Sequence, residues 1–225
     1  SYTTEDVELL KAIFDSEYYQ KLYGEEVRSS PSSGVTEDAQ LAAINHFMRI
    51  GWTQNYNPNN WFNVAEYRKY FPGQGNPVLE WLKLASGITE QRYPEEVVVS
   101  VTTHPPRIGT SWFSLESLLR QSQKPNKLIL YVAADDFPAR TLPLSLEILK
   151  RRGLEVRFSE KNYKVATKLL PALQDFPKGV IITADDDRIY HPNLLEILLT
   201  EHSKYPNNII APSAREYIYE GLPQS

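Results

Sequence analysis

GVIITADDDRIYHP, residues 179–192, runs from a β-branched apolar stretch straight into three consecutive carboxylates, Asp185, Asp186 and Asp187. The apolar part reads as a buried strand, because Val and Ile fit a pleated surface covered on both faces. Three adjacent negative charges at its end repel one another and require an offsetting partner. In an extended chain Asp185 and Asp187 point to one side and Asp186 to the other. Two hard oxygen ligands then converge. That set suits Mg²⁺ or Mn²⁺ shared with a diphosphate, since such ions are held by one or two carboxylates plus phosphate oxygens. The bland alternative is that the aspartates cap the turn before a helix at 193–202 opened by Pro192, but a cap needs one Asp rather than three.

Outward from this stretch, four more short β-branched runs occur: EVVVSVTT (96–103), KLILYVA (127–133), LEVRFS (154–159) and NIIA (208–211). Helical patterns separate them: SWFSLESLLRQ (111–121), LPLSLEILKRR (142–152), NYKVATKLLPALQ (162–174) and NLLEILLTEH (193–202). The alternation predicts βαβ units and a mainly parallel sheet. Ligands of such sheets collect beyond the carboxyl ends of the strands, where the aspartates sit.

The first 90 residues have a different rhythm, helical with no convincing strand. In TEDAQLAAINHFMRIG (36–51), Thr36 is the expected N-cap, Glu37 and Asp38 suit the helix dipole, Leu41, Ile44, Phe47 and Met48 share a face, and Gly51 stops the helix. In NPVLEWLKLASG (76–87), Asn76 caps, Pro77 takes the first turn and Gly87 ends the helix. FDSEYY (14–19) recurs loosely as FNVAEY (62–67), each an aromatic followed by an Asp or Asn able to cap a Tyr-bearing helix. His46 has no second ligand at metal-binding spacing and reads as a packed or surface residue. The chain therefore divides into a small all-α part, 1–90, and an α/β part, 91–225.

Composition narrows the function. A net charge of −4, from 24 basic and 28 acidic residues, gives no electrostatic footprint for nucleic acid. The absence of cysteine excludes disulfides, thiolate catalysis and Cys-ligated zinc, and is compatible with a reducing cytoplasm. No apolar run approaches the roughly 18 residues of a membrane span, and SYTTEDVELL lacks the basic and apolar regions of a signal peptide. An EF-hand starting at Asp185 would put Tyr190 where glycine is needed. No P-loop or strand-linked G-x-G-x-x-G is present, and TTHPPRIGT (102–110) lacks the glycine-rich loop of sugar nucleotidylyltransferases. A haloacid dehalogenase-like phosphotransferase, with Asp185 as nucleophile and Asp187 as acid/base, shares the strand and D-x-D, but that motif normally opens its domain. A non-catalytic module whose aromatic repeats bind glycan or protein is the other alternative.

An apolar first strand followed about 80 residues later by hhhxADDDxxY resembles the nucleotide-sugar-binding half of a GT-A (Rossmann-like) glycosyltransferase. VVVSVTTHPPRIGTSWFSLESLLRQSQKPNKLILYVAADDFP, NYKVATKLLPAL and DDDRIYHPNLLEILL are similar to one bacterial group of these enzymes, with His104 where an aromatic is usual. The N-terminal half resembles the FD-x-x-YY and HY-x-x-x-G helical repeats that accompany some bacterial polysaccharide glycosyltransferases, its second copy degenerate at Asn63 and Trp81. The resemblance implies that Asp185 and Asp187 hold Mn²⁺ or Mg²⁺, with Asp187 the more direct ligand, and that Asp185 and Asp186 belong to the nucleotide-sugar site. It also implies that Thr102 and Thr103 border the base, that Arg107 and Lys168 face the diphosphate, and that Asp135 or its neighbour Asp136 lies in the base-recognition region. The expected donor is a UDP-sugar, the acceptor a glycan or polysaccharide, the reaction inverting, and the place the cytoplasm or, by peripheral association, the inner face of the cell membrane. The acceptor subdomain and catalytic base are expected outside this stretch; Glu216 and Glu220 have no surroundings that would single them out as the base.

Overall fold

Capping side chains set the starts of the helices that open the chain. The computed structural model describes residues 2–30, 38–84, 87 and 95–213. Helices α1 (Thr4–Lys11), α2 (Ser16–Ser29), α3 (Ala39–Arg49), α4 (Val64–Tyr70) and α5 (Pro77–Leu82) form the first half. Asp15 accepts from the Tyr18 N–H at 2.9 Å and Asn63 from the Glu66 N–H at 2.9 Å, so the two FD and FN positions perform the same task. Asn76 caps α5, with Pro77 in its first turn. Asp38 caps α3 through Gln40 and Leu41, whereas Thr36, the expected cap, lies outside the described residues. Gly87 does not end α5, which stops at Leu82; its N–H bonds to the Arg152 carbonyl at 2.8 Å. A Cβ there would lie 2.5 Å from a Leu119 methyl and 2.7 Å from the Leu119 carbonyl oxygen, so the close approach itself demands glycine.

His46 is buried, with Nδ1 2.9 Å from the Tyr19 hydroxyl. Burial holds its imidazole below the usual histidine range, only partly countered by Glu26. The folded state therefore favours neutral His46, and its contribution to stability is present above the unfolded pKa of about 6.5 and lost as pH falls through and below it. The melting temperature is expected to drop between pH 7.5 and 5.5, and His46→Gln to flatten that slope; an unchanged slope would show that other groups carry it.

The second half alternates β1 (Val97–Thr102), α6 (Trp112–Leu119), β2 (Lys127–Ala133), α7 (Leu144–Lys150), β3 (Leu154–Ser159), α8 (Leu170–Asp175), β4 (Val180–Ala184) and α9 (Leu194–Lys204). All four strands are parallel, in the order β3-β2-β1-β4. The chain winds outward from β1 to β3 and then returns to place β4 on the other side of β1. The order reverses between β1 and β4, which creates a crevice at their carboxyl ends. β1, central and buried on both faces, is accordingly the near-continuous apolar run of the sequence.

Val97, Val99 and Val101 face a core shared with the helical half, where Trp112 of α6 packs at 5.2 Å from Trp81 and 5.4 Å from Phe62. On the opposite face Val98, Ile129 and Tyr131 meet Ala172 of α8.

Two further expectations fail. NIIA (208–211) forms no strand, and Ile209 is 99% exposed. A β-branched run becomes a strand only where a sheet edge receives it, and this one follows α9 through a turn closed by the Asn208 N–H and Tyr205 carbonyl. Nor is 162–174 one helix. It splits into a 3₁₀ turn, Lys164–Lys168, and α8, because Pro171 lacks an N–H and its ring would clash with the Thr167 carbonyl of a continuous helix. Lys164 has φ 58°. Lys164 and Lys168 therefore share no α-helical face.

Candidate functional site

The crevice between β1 and β4 is a cavity of about 580 Å³ lined by Thr102, Thr103, Arg107, Lys168 and Asp185 to Asp187, among others. β1 supplies three hydroxyls near its end. Ser100, on the α8 side of the strand, donates to the Lys168 carbonyl and ties the 3₁₀ turn to the sheet. Thr102 donates to the Tyr131 carbonyl of β2 at 2.8 Å. Thr103, just past the strand, donates to Asp186 at 2.6 Å. The turn that follows is wound by bonds from the Arg107 and Ile108 N–H groups to the His104 carbonyl, and it swings Arg107 back over the crevice.

Cations offset the mutual repulsion of the three aspartates. The Arg107 Nη1 donates to Asp186 at 2.8 Å and to Asp187 at 2.8 Å. Lys168 pairs with Asp185, and Arg188 approaches Asp185 at 3.4 Å. Lys168, then Arg188, outweigh partial burial and hold the Asp185 carboxyl below the usual carboxylate range. Asp186 and then Asp187 likewise strengthen the hold of Arg107 on its proton.

This geometry corrects the alternation expected of an extended chain. β4 ends at Ala184 and the aspartates lie in a turn, so Asp186 and Asp187 share one guanidinium while Asp185 turns to Lys168. Asp186 is the inward member, its side chain 7% exposed against 48% for Asp185 and 52% for Asp187. The aspartates do not cap α9, whose N-cap residue Asn193 makes no side-chain cap bond. Arg107 engages carboxylates rather than backbone carbonyls, and Lys168 is mostly covered rather than a solvated helix face. Asp135 is exposed and does not line the cavity; Asp136 does, and it accepts from the Asn162 amide at 3.0 Å. Glu216 and Glu220 lie outside the described residues.

Behind the aspartates α6 acts as a splint. Ser114 donates to the Asp185 carbonyl at 2.6 Å, and the Tyr190 hydroxyl accepts from the Asp185 N–H at 2.6 Å. Ser117 accepts from the Tyr190 N–H at 3.0 Å, and Gln121 bonds to the His191 carbonyl at 2.9 Å and the Leu195 N–H at 3.0 Å. The sequence reading assigned no role to Ser114, Ser117, Gln121, Asn162 or Arg188. A signal is present in the sequence: Ser114 and Ser117 on the buried helix α6, and Gln121 two residues past its end, interrupt the apolar pattern, and each buried polar group needs a partner.

Among the described residues no three His, Asp or Glu side chains gather as a closed metal site. Asp185 and Asp187 are two half-exposed carboxylates that line the cavity. That fits a hard divalent cation whose remaining ligands come from a bound diphosphate and water.

A parallel sheet whose order reverses at a cavity edged by acids and bases is an α/β architecture consistent with a GT-A, Rossmann-like fold. The family model described as Glycosyl transferase family 2 matches residues 112–224, just over half of the chain, and the chain belongs to that family. The activity of the family is glycosyl transfer from nucleotide-sugar donors to acceptors. No curated protein and no solved structure matches the chain.

Proposed function

We propose that the cavity binds a nucleoside diphosphate sugar, a UDP-sugar in the first instance, for metal-dependent inverting transfer to a glycan or polysaccharide acceptor. The supporting observation is the convergence of Thr103, Arg107 and Lys168 on the Asp185 to Asp187 turn at the strand-order reversal. Departure of the sugar leaves the bonding electron pair, and with it one further negative charge, on an already anionic diphosphate, and fixed cations aimed at that position lower the barrier. Arg107 and Lys168 are such cations, and Lys164 and Arg188 also line the cavity. Asp187, with Asp185, would hold Mn²⁺ or Mg²⁺, which supplies further neutralisation of the leaving diphosphate. Asp186, gripped by Thr103 and Arg107, fixes the shape of the turn. Asp136 and Asn162, which line the β2 side of the cavity and bond to each other, would read the base or ribose.

Among the described residues no helix is long and apolar enough to cross a membrane. Peripheral attachment at the inner membrane face, residues 1–90 as a helical repeat module and a bacterial polysaccharide as product remain parts of this proposal.

UDP with Mn²⁺ at a hundred times its Kd is expected to raise stability by about 2.7 kcal/mol, or roughly 5–10 °C for a chain of this size. Asp187→Ala is expected to abolish the metal-dependent part. The check is thermal melting against UDP, GDP, CMP and dTDP and their sugars, with and without Mn²⁺. No rise with any nucleotide, together with stabilisation by Mg²⁺ and beryllium fluoride, would instead identify a phosphotransferase. Neither fold nor family supports that alternative or a purely non-catalytic module.

A further inference from the structure

The turn that carries the aspartates has a second side. While Asp185 to Asp187 face the donor cavity, Ile189 to Pro192 line another cavity of about 680 Å³, closed on the far side by Tyr70 and Phe71 of the helical half and by Arg120 and Lys124 after α6. The two cavities thus share one loop as their wall.

The chemistry of this second cavity differs from that of the first. Arg120 and Lys124 line the cavity, and behind them the buried Glu116 carboxylate pairs with Arg120 and Arg152. The Arg120 guanidinium lies 4.4 Å from the centre of the Phe71 ring. Lys124 donates one of its three N–H groups to the Leu119 carbonyl at 2.8 Å. Burial, and the charges of Arg152 and Arg120, push the Lys124 ammonium below the usual lysine range, as expected in a positive field. Tyr70, 37% exposed, and Tyr190 add aromatic surface, and His191 contributes a further polar ring. Cations bind carboxylates and phosphates. Aromatic faces offer flat apolar surface to the C–H face of a sugar ring.

We infer that the cavity between the helical half and the aspartate loop binds a saccharide unit bearing an anionic group, as part of an acidic glycan. The choice of a saccharide over other anions rests on the glycosyl-transfer reading; the choice of an anionic unit rests on Arg120 and Lys124, the two cations that line the cavity. Its position places such a unit against Tyr190, whose hydroxyl and N–H fix the turn carrying Asp185.

The test is titration calorimetry of the full chain with tetragalacturonate, maltotetraose and inorganic phosphate, with UDP and Mn²⁺ measured in parallel. Tetragalacturonate is expected to bind at least about tenfold more tightly than maltotetraose, and Lys124→Gln to remove most of that preference. Tyr70→Ala, a rim change that leaves the Glu116 cluster intact, is expected to weaken the acidic saccharide several-fold. Equal binding of acidic and neutral probes, no acidic binding, or no effect of Lys124→Gln in a protein of unchanged melting temperature would overturn the inference. Phosphate binding as tightly as tetragalacturonate would overturn the saccharide assignment. Acidic binding without any UDP response would support the second cavity and sink the nucleotide-donor reading, so the two failures are distinguishable.

Discussion

Glu116→Leu is expected to cost about 3–5 kcal/mol, because it breaks a buried charge cluster from one side only. Glu116 is fully buried within α6; it accepts from the Trp81 indole at 3.0 Å and from Arg120 at 2.6 Å, and it pairs with Arg152. Arg152 is itself 5% exposed, so removing the carboxylate leaves a cation where water cannot replace the lost partner. The same residue joins three parts of the fold: α5 through Trp81, the end of α7 through Arg152, and the Tyr67 hydroxyl through Arg120. The two halves should therefore melt together and earlier, by on the order of 10 °C. Circular dichroism and tryptophan fluorescence are expected to report one coincident transition. The double variant Glu116→Leu with Arg152→Met removes both charges and is expected to recover much of the loss, since an apolar replacement of a buried pair is often near neutral. A wild-type melting temperature for Glu116→Leu alone would show that the cluster carries no net stability.

The strands and the aspartate turn were legible in the sequence because both are local signals. Four of the five β-branched runs pair as strands, and the caps at Asp15, Asn63 and Asn76 follow from side-chain reach within three residues. Arg107 and Lys168 follow from the resemblance, supported by the charge they would offset; the structure brings both to the aspartates across 79 and 17 residues of chain. What the sequence concealed depends on chain returning from a distance. NIIA has strand composition but meets no sheet edge, and Pro171 breaks a helix whose apolar period looks continuous. The choice between Asp135 and Asp136 turns on the short helical turn Ala134–Asp136, which sends one carboxylate to solvent and the other to Asn162. The seam itself, with Trp81 and Trp112 in contact and Gly87 against Leu119, has no local signature, and the change of rhythm near residue 90 conceals a core that crosses it.

Arg107→Ala is expected to move two affinities in opposite directions. In the ligand-free site the guanidinium is a counter-ion to Asp186 and Asp187, at 2.8 Å from each, so it competes with any cation for the same carboxylates. Without it the turn is more negative, and Mn²⁺ alone should bind more tightly, by several-fold for a half-exposed group. A nucleoside diphosphate carries the reverse charge. Losing a charge-assisted donor of about 1.5–3 kcal/mol should weaken UDP binding by roughly tenfold to a hundredfold. Arg107→Lys keeps the charge but not the planar fork that can meet a diphosphate with two parallel N–H groups, so it should recover the Mn²⁺ behaviour better than the UDP affinity. The stability of the empty protein should also fall in Arg107→Ala, because Asp186, buried beside Thr103, loses its ionic partner. Calorimetric titration of Mn²⁺, and of UDP at fixed Mn²⁺, into the three proteins separates these effects. Parallel weakening of both ligands would mean that Arg107 only braces the turn. Weakening of UDP with strengthening of Mn²⁺ would mean that the guanidinium stands where the diphosphate must come, and changes partner when it does.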